Sequence, residues 1–146
     1  MAALVAETVE MVQIASREKN ISINSSCPHD LTAKLYGPFI IQALFNLLEN
    51  SIKYSAYGSA VNVSVFEEAG ELRIEVKDNG IGIPAEHLSR VFERFYRVDK
   101  SRSREAGGTG LGLSIVRHIA LLHNGTAEVE SHAGEGSLFR LRLPIH

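Results

Sequence analysis

Asn46, Asn50 and Lys53 recur at i, i+4 and i+7, the spacing that sets three side chains along one stripe of a helix. Amide oxygens suit a hard cation such as Mg²⁺, which takes oxygen ligands and shares its shell with phosphates and water. An ammonium one turn further on adds a point charge for the same phosphates. The plainer alternative is a solvated helix face, because this stripe lies opposite an apolar one. Asparagine is nonetheless a poor choice inside a helix, where its amide competes with the backbone.

A second group is Asp78-Asn79-Gly80-Ile81-Gly82-Ile83-Pro84. A carboxylate there can accept from an exocyclic amine, and glycines let backbone approach a flat ring. A bare strand-to-helix turn would need fewer of these residues. Gly80-x-Gly82-x-x-Ala85 also fits the dinucleotide-binding fingerprint, but no second parallel strand with an acidic ribose partner follows. Gly107-Gly108-Thr109-Gly110-Leu111-Gly112-Leu113 opens a helix. Its small residues expose N–H groups at a helix N-terminus, which favours phosphate, and Thr109 is placed to cap that helix. No lysine follows these glycines, so this is not a Walker A loop; a hinge before a helix is the competing reading.

Between the loops stand Phe92-Glu93-Arg94-Phe95-Tyr96-Arg97, then Asp99, Lys100, Arg102 and Arg104. The aromatics alone would be core packing; the cations beside a glycine loop suggest a lid for polyphosphate, with a solvated charged loop as the alternative. Gly134-Glu135-Gly136-Ser137 reads as a hairpin. The histidines, His29, His87, His118, His123, His132 and His146, show no zinc-ligand spacing, and His118 and His123 fall on a helix as surface or internally satisfied residues.

The elements that must position these groups follow from periodicity. Leu4, Val5, Val9, Val12 and Ile14 predict a helix over residues 3 to 18, and residues 20 to 24 alternate as a short strand. Cys27-Pro28-His29-Asp30 is turn chemistry. Ile41, Leu44, Phe45, Leu48 and Ile52 make the apolar stripe of a helix from Pro38 to about Tyr54. Val61, Val63 and Val65, then Leu72, Ile74 and Val76, predict two strands joined by a turn with Gly70 at the positive-φ position. Pro84 opens a short helix to roughly Phe92, and residues 97 to 108 read as a mobile loop. A helix over Leu111 to His123 stops at Asn124-Gly125, and two strands follow, near 126 to 131 and 137 to 143. Strands and helices do not alternate as βαβ units, so the expected fold is an α+β two-layer sandwich, a largely antiparallel sheet with helices on one face.

With 146 residues, 45% hydrophobic and 22% charged, the chain fits one globular domain able to bury about 70% of its unfolded surface. Its net charge of -2 implies no nucleic-acid surface. Cys27 is the sole cysteine, which excludes an internal disulfide. No apolar run is long enough to span a bilayer, and no signal peptide opens the chain. The start, Met1-Ala2-Ala3-Leu4-Val5, reads as a boundary inside a longer protein.

In order, these pieces resemble the catalytic ATP-binding domain of sensor histidine kinases, within the ATPase superfamily shared with gyrase and mismatch-repair proteins. Asn46-Leu47-Leu48-Glu49-Asn50-Ser51-Ile52-Lys53-Tyr54-Ser55 resembles its N box, Asp78 to Gly82 its first glycine box, Phe92 to Tyr96 its F box and Gly107 to Leu113 its second glycine box. Gly134-Glu135-Gly136-Ser137 is similar to the small C-terminal glycine box, with serine where threonine is more usual. Arg94-Phe95-Tyr96-Arg97-Val98-Asp99-Lys100 is most similar to phosphate-regulon-type kinases. The resemblance spans about residues 3 to 143 and treats 1 to 146 as one catalytic domain without its phosphoacceptor domain.

What the resemblance implies is specific. ATP would lie between helices and a lid; Asn50, assisted by Asn46, would ligate Mg²⁺; Lys53 would approach the phosphates; Tyr54 would pack on adenine; Asp78 would accept from its amine. Gly80 and Gly82 would shape the base pocket, while Gly108, Thr109, Gly110, Leu111 and Gly112 would close over phosphate. Arg97 would organise the γ-phosphate, with Arg102 and Arg104 as additions. Water-activating members carry glutamate where this chain has Asn46, and a neutral amide cannot take a proton from water; Glu49 is read as a positioning residue. The expected activity is therefore transfer of the γ-phosphoryl to a histidine on a separate dimerisation domain of the parent protein, with a response regulator downstream. No histidine here has the His-Glu/Asp-x-x-x-Pro surroundings of that acceptor. The implied setting is cytoplasmic, on a membrane-anchored parent, without membrane contact by this fragment. The rivals are an anti-sigma-type serine kinase and a nucleotide-sensing module without transfer activity.

Overall fold

The computed structural model describes residues 1–99 and 108–145. Five strands, β1 (Ser22–Ser26), β2 (Ala60–Glu68), β3 (Glu71–Asp78), β4 (Thr126–His132) and β5 (Gly136–Pro144), form one sheet in the order β1-β2-β3-β5-β4. Only β1 pairs in parallel, with β2; the other pairings are antiparallel. The β2–β3 turn uses positive φ at both Ala69 (54°) and Gly70 (77°), the mirror-image turn whose twist matches a hairpin.

Period-2 alternation sorts the sheet into two faces. Val65, Ile74, Leu141 and Ala127 form one inward row, and Val63, Val76, Phe139 and Val129 the next. Phe139 is 1% exposed. The other face is charged: Arg140 bridges Glu75 (2.7 Å) and Glu130 (3.1 Å), and Arg142 bridges Glu71 (3.0 Å) and Glu128 (3.3 Å).

The helices cover the apolar face. They are α1 (Ala2–Met11), α2 (Gln13–Glu18), α3 (Gly37–Tyr54) and α4 (Gly112–Leu122). The expected first helix breaks at Val12, where Val12 N–H donates to Val9 O in a tight turn. Its buried stripe is Val5, Thr8, Val12 and Ser16, whereas Ile14 is 77% exposed. The two buried hydroxyls donate to their own helix, Thr8 to Leu4 O and Ser16 to Gln13 O, which lets polar residues sit where apolar ones were expected. The buried stripe of α3 is Ile40, Ala43, Leu44, Leu47, Leu48, Ser51 and Ile52; Leu44, Leu48 and Ile52 are as expected, while Ile41 and Phe45 are half-buried at its margin.

Lys19 closes the end of α3. Its Nζ donates to Ile52 O (2.7 Å) and Lys53 O (3.0 Å), two of the last-turn carbonyls that a helix leaves without intrahelical partners; burial lowers the pKa of this ammonium. Pro84 precedes only a three-residue 3₁₀ turn, Ala85–His87. Beyond it the chain continues in single i→i+3 turns, Arg90 N–H to His87 O, Glu93 N–H to Arg90 O and Tyr96 N–H to Glu93 O. The helix expected to Phe92 is thus replaced by turns that bury Val91 and set Phe92 edge-on to Phe139, centroids 6.4 Å apart.

Phe139→Ala should remove both the centre of the inward rows and the support of Phe92. Urea unfolding is expected to show a loss of about 3–5 kcal/mol.

Candidate functional site

The inward alternation of β3 runs Leu72, Ile74, Val76 and then Asp78. The same parity puts Ser137 of β5 and Ser131 of β4 beside it, so the final inward row is Val61, Asp78, Ser137 and Ser131. A carboxylate thus occupies a core-facing position and is 4% exposed. Its Oδ1 accepts from the N–H groups of Gly80 (2.9 Å) and Ser137 (3.2 Å). Burial pushes its pKa above the usual carboxylate range, while the Gly80 amide, the Ser51 hydroxyl and the Ser137 amide pull it back. The Ser51 Oγ is itself buried.

Asp78 stands at the end of a cleft of about 310 Å³, within the range of small-molecule sites. One wall is α3, contributing Asn46, Glu49, Asn50, Lys53 and Tyr54; the other is the glycine segment Gly108, Thr109, Gly110, Leu111 and Gly112, with Tyr96 and Arg97 between. The α3 stripe is half-buried and lines this cleft. The amide nitrogen of Asn46 is buried without a hydrogen-bond partner.

The glycines of the first loop are held in close backbone contacts. A Cβ on Gly80 would lie 2.4 Å from Tyr54 O, and one on Gly82 (φ 69°) would lie 2.0 Å from His132 O. Both make room for backbone against backbone, and of the two Gly82 lines the cleft. Ile81 N–H donates to Tyr54 O (3.2 Å), and Gly134 N–H donates to Ile81 O (2.6 Å). The loop is thus clamped between the end of α3 and the β4–β5 hairpin, a role for Gly134 beyond a turn of its own.

Across the cleft, Phe95 N–H donates to Gly110 O (2.8 Å) and Arg97 Nη2 donates to Gly108 O. Phe95 takes a positive φ of 63° and is exposed. Tyr96 hydrogen-bonds His87 through its hydroxyl, and the Arg90 guanidinium lies 4.5 Å from its ring centroid. Thr109 Oγ1 accepts from Leu111 N–H (3.3 Å), while α4 begins at Gly112 without a side-chain cap. The expected cap therefore serves the turn before the helix, and the first N–H groups of α4 have no capping side chain. Lys100, Arg102, Arg104, Gly107 and the loop assigned to them lie outside the described residues, as does His146. His123 is satisfied: its Nδ1–H donates to Ile119 O (2.8 Å), and its Nε2 accepts from Tyr36 N–H (3.4 Å). Among the described residues no three His, Cys, Asp or Glu side chains gather as a metal cluster, and no helix is long and apolar enough to cross a membrane.

Residues 37–146 match the family described as histidine kinase-, DNA gyrase B-, and HSP90-like ATPase. The chain belongs to this ATPase family. It is 43% identical over 141 residues to the sensor-like histidine kinase SenX3 of Mycolicibacterium smegmatis, covering 97% of this chain and 37% of that protein. It is 40% identical over 132 residues to the sensor histidine kinase WalK of Bacillus subtilis, covering 88% and 22%. The chain thus spans about a third or less of these curated relatives. The catalytic domain of the histidine kinase ThkA, solved nucleotide-free, superposes with a TM-score of 0.85 at 26% identity, covering 99% of this chain and 92% of that one. Full-length ShkA, solved with AMPPNP, gives 0.83 at 26%, covering 97% and 29%. The expected α+β sandwich is the fold of histidine-kinase catalytic domains, and the domain is an ATP-binding one of the sensor-kinase type.

Ser131, Ser137 and Ser51 were missed by sequence reasoning as participants. The available signal was parity: each polar residue falls on the core-facing phase of its strand or helix.

The raised pKa of Asp78 has a defined consequence for stability. A folded-state pKa above the unfolded value means that the ionised carboxylate opposes folding, and that this cost fades as pH falls through the folded pKa. Without ligand, Asp78→Asn should therefore melt at an equal or higher temperature at neutral pH. The difference should narrow on acidification, as calorimetric melts across a pH series would show.

Proposed function

We propose that this domain binds Mg²⁺-ATP in the cleft between α3 and the glycine segment and donates the γ-phosphoryl to a histidine on a separate domain of its parent protein. The observation that carries the reading is the buried Asp78 carboxylate at one end of a cleft whose other parts offer amides, a lysine and an uncapped helix N-terminus. Asp78 spends Oδ1 on backbone amides, which leaves Oδ2 to accept from an adenine amine. Tyr54 and Ile81 line that end and supply apolar surface for the base.

Farther along the cleft, the first N–H groups of α4, which no side chain caps, suit phosphate oxygens, and Lys53 adds positive charge. Arg97, held at Gly108 O beside the glycine segment, would meet the terminal phosphate. The protein offers few hard ligands, which suits Mg²⁺ because that ion keeps phosphate and water in its shell; Asn50 and Asn46 would hold it by their amide oxygens. When bound, Mg²⁺ supplies charge neutralisation between the phosphates. Phosphoryl transfer asks a protein mainly for alignment and charge stabilisation. Asn46 stands where a water-activating base would stand and has no proton affinity for that task, so ATP is kept for a protein acceptor.

This reading places the domain on the cytoplasmic side of a membrane-anchored parent, with a response regulator as the next acceptor. The kinase relatives and the AMPPNP-bound ShkA structure support the kinase and nucleotide parts of the reading.

Incubating the chain with Mg²⁺-ATP and a separately made dimerisation domain of the parent should yield acid-labile phosphohistidine on that domain only. Labelling of the chain by itself, or transfer to serine, would overturn the proposal. By titration calorimetry, Asp78→Asn should weaken ATP by about tenfold or more, because the amide nitrogen replaces an acceptor facing the base with a donor.

A further inference from the structure

Ser131 does not line the cleft, yet its hydroxyl is fully engaged behind it. Its Oγ is 2.7 Å from Gly136 O, 2.8 Å from Ser137 Oγ and 2.8 Å from Ile83 N. A hydroxyl carries one proton and two acceptor sites. Gly136 O can only accept, so it takes the Ser131 proton, and Ile83 N–H can only donate. The remaining contact is satisfied only if Ser137 gives its own proton to Ser131. The reverse orientation would leave the lone pairs of Ser131 and Gly136 facing each other at 2.7 Å with no proton between them. Ser131 is 7% exposed and Ser137 8%, so water cannot readily relieve that mismatch.

Having spent its proton inward, Ser137 keeps only lone pairs for the cleft that it lines. It lies directly opposite Asp78 across the β3–β5 pairing, so two acceptors stand side by side at the base end. We propose that Ser131 is a positioning residue that fixes Ser137 as an acceptor and thereby selects a 6-amino purine over a 6-oxo purine. An exocyclic amine brings two protons to such a pair, whereas a 6-oxo group brings lone pairs against both. This rests on the reading of Asp78 as the acceptor for the base.

The test measures the dissociation constants of ATP and ITP by titration calorimetry for the wild-type chain, Ser131→Ala, Ser131→Thr, Ser137→Ala and the double alanine variant. The wild type should prefer ATP. Ser131→Ala frees the Ser137 hydroxyl to donate, and should narrow the ATP/ITP ratio by about tenfold. Ser131→Thr keeps the hydroxyl and should keep the ratio. Ser137→Ala should narrow the ratio as well, and in that background Ser131→Ala should change it no further. Equal weakening of both nucleotides by Ser131→Ala, the signature of simple loosening, overturns the inference, as does a full ratio retained in Ser137→Ala. If Asp78→Asn leaves ATP affinity unchanged, the reading beneath the inference fails. If Asp78→Asn weakens ATP while the serine variants keep the ratio, only the inference fails.

Discussion

A carboxylate on the core-facing side of a sheet must find hydrogen-bond donors or surrender its charge. Asp78 finds them in the backbone, at Gly80 and Ser137, and that requirement organises the surrounding chain. The Gly80 amide can reach Oδ1 only if the chain turns sharply after β3. The Ser137 amide can reach it only because β5 pairs with β3 in a register that sets the two residues opposite each other. Both backbone donors meet the same oxygen, Oδ1. A site of this kind is costly when empty and rewarded when filled, a common relation between stability and function.

The glycines around Asp78 follow from the same turn. With Gly80 pressed on Tyr54 O and Gly82 on His132 O, the loop has no room for a Cβ at either position, so α3, the loop and the β4–β5 hairpin behave as one packed unit. This side of the cleft is thus a wall whose backbone is already paired. On the opposite wall, Phe95 and Arg97 are joined to Gly110 and Gly108, and the exposed Phe95 accepts a left-handed backbone to make that junction.

How much of this was legible in the sequence depended on whether one local rule was sufficient. β2 and β3 were readable because three valines and then Leu72, Ile74 and Val76 alternate without interruption, and α4 because its stop is Asn124 at positive φ (56°). The cleft residues Asn50, Lys53, Asp78 and Arg97 were readable by type and order. The segment after Pro84 was not, because tertiary demands to bury Val91 and to reach Phe139 override its helical composition. Ile14 was misplaced for a related reason: buried hydroxyls at Thr8 and Ser16 bond to their own helix and pass as polar surface. Ser131 and Ser137 look like ordinary strand serines until the pairing register places them in the row of Asp78.

The joint at Lys19 carries a consequence of its own. One ammonium from the lead-in segment holds the last carbonyls of the helix that bears Asn50, Lys53 and Tyr54. A mechanical pull that withdrew it would expose two carbonyls and loosen the end of α3 where Ile81 is fastened. Linkage is reciprocal: whatever free energy such a pull takes from nucleotide affinity, bound nucleotide returns as resistance to the pull. The amino-terminal helices are in this sense a strain gauge wired to the cleft, with Lys19 as its polar joint beside the apolar packing of Val5 and Val12 on the same core as α3.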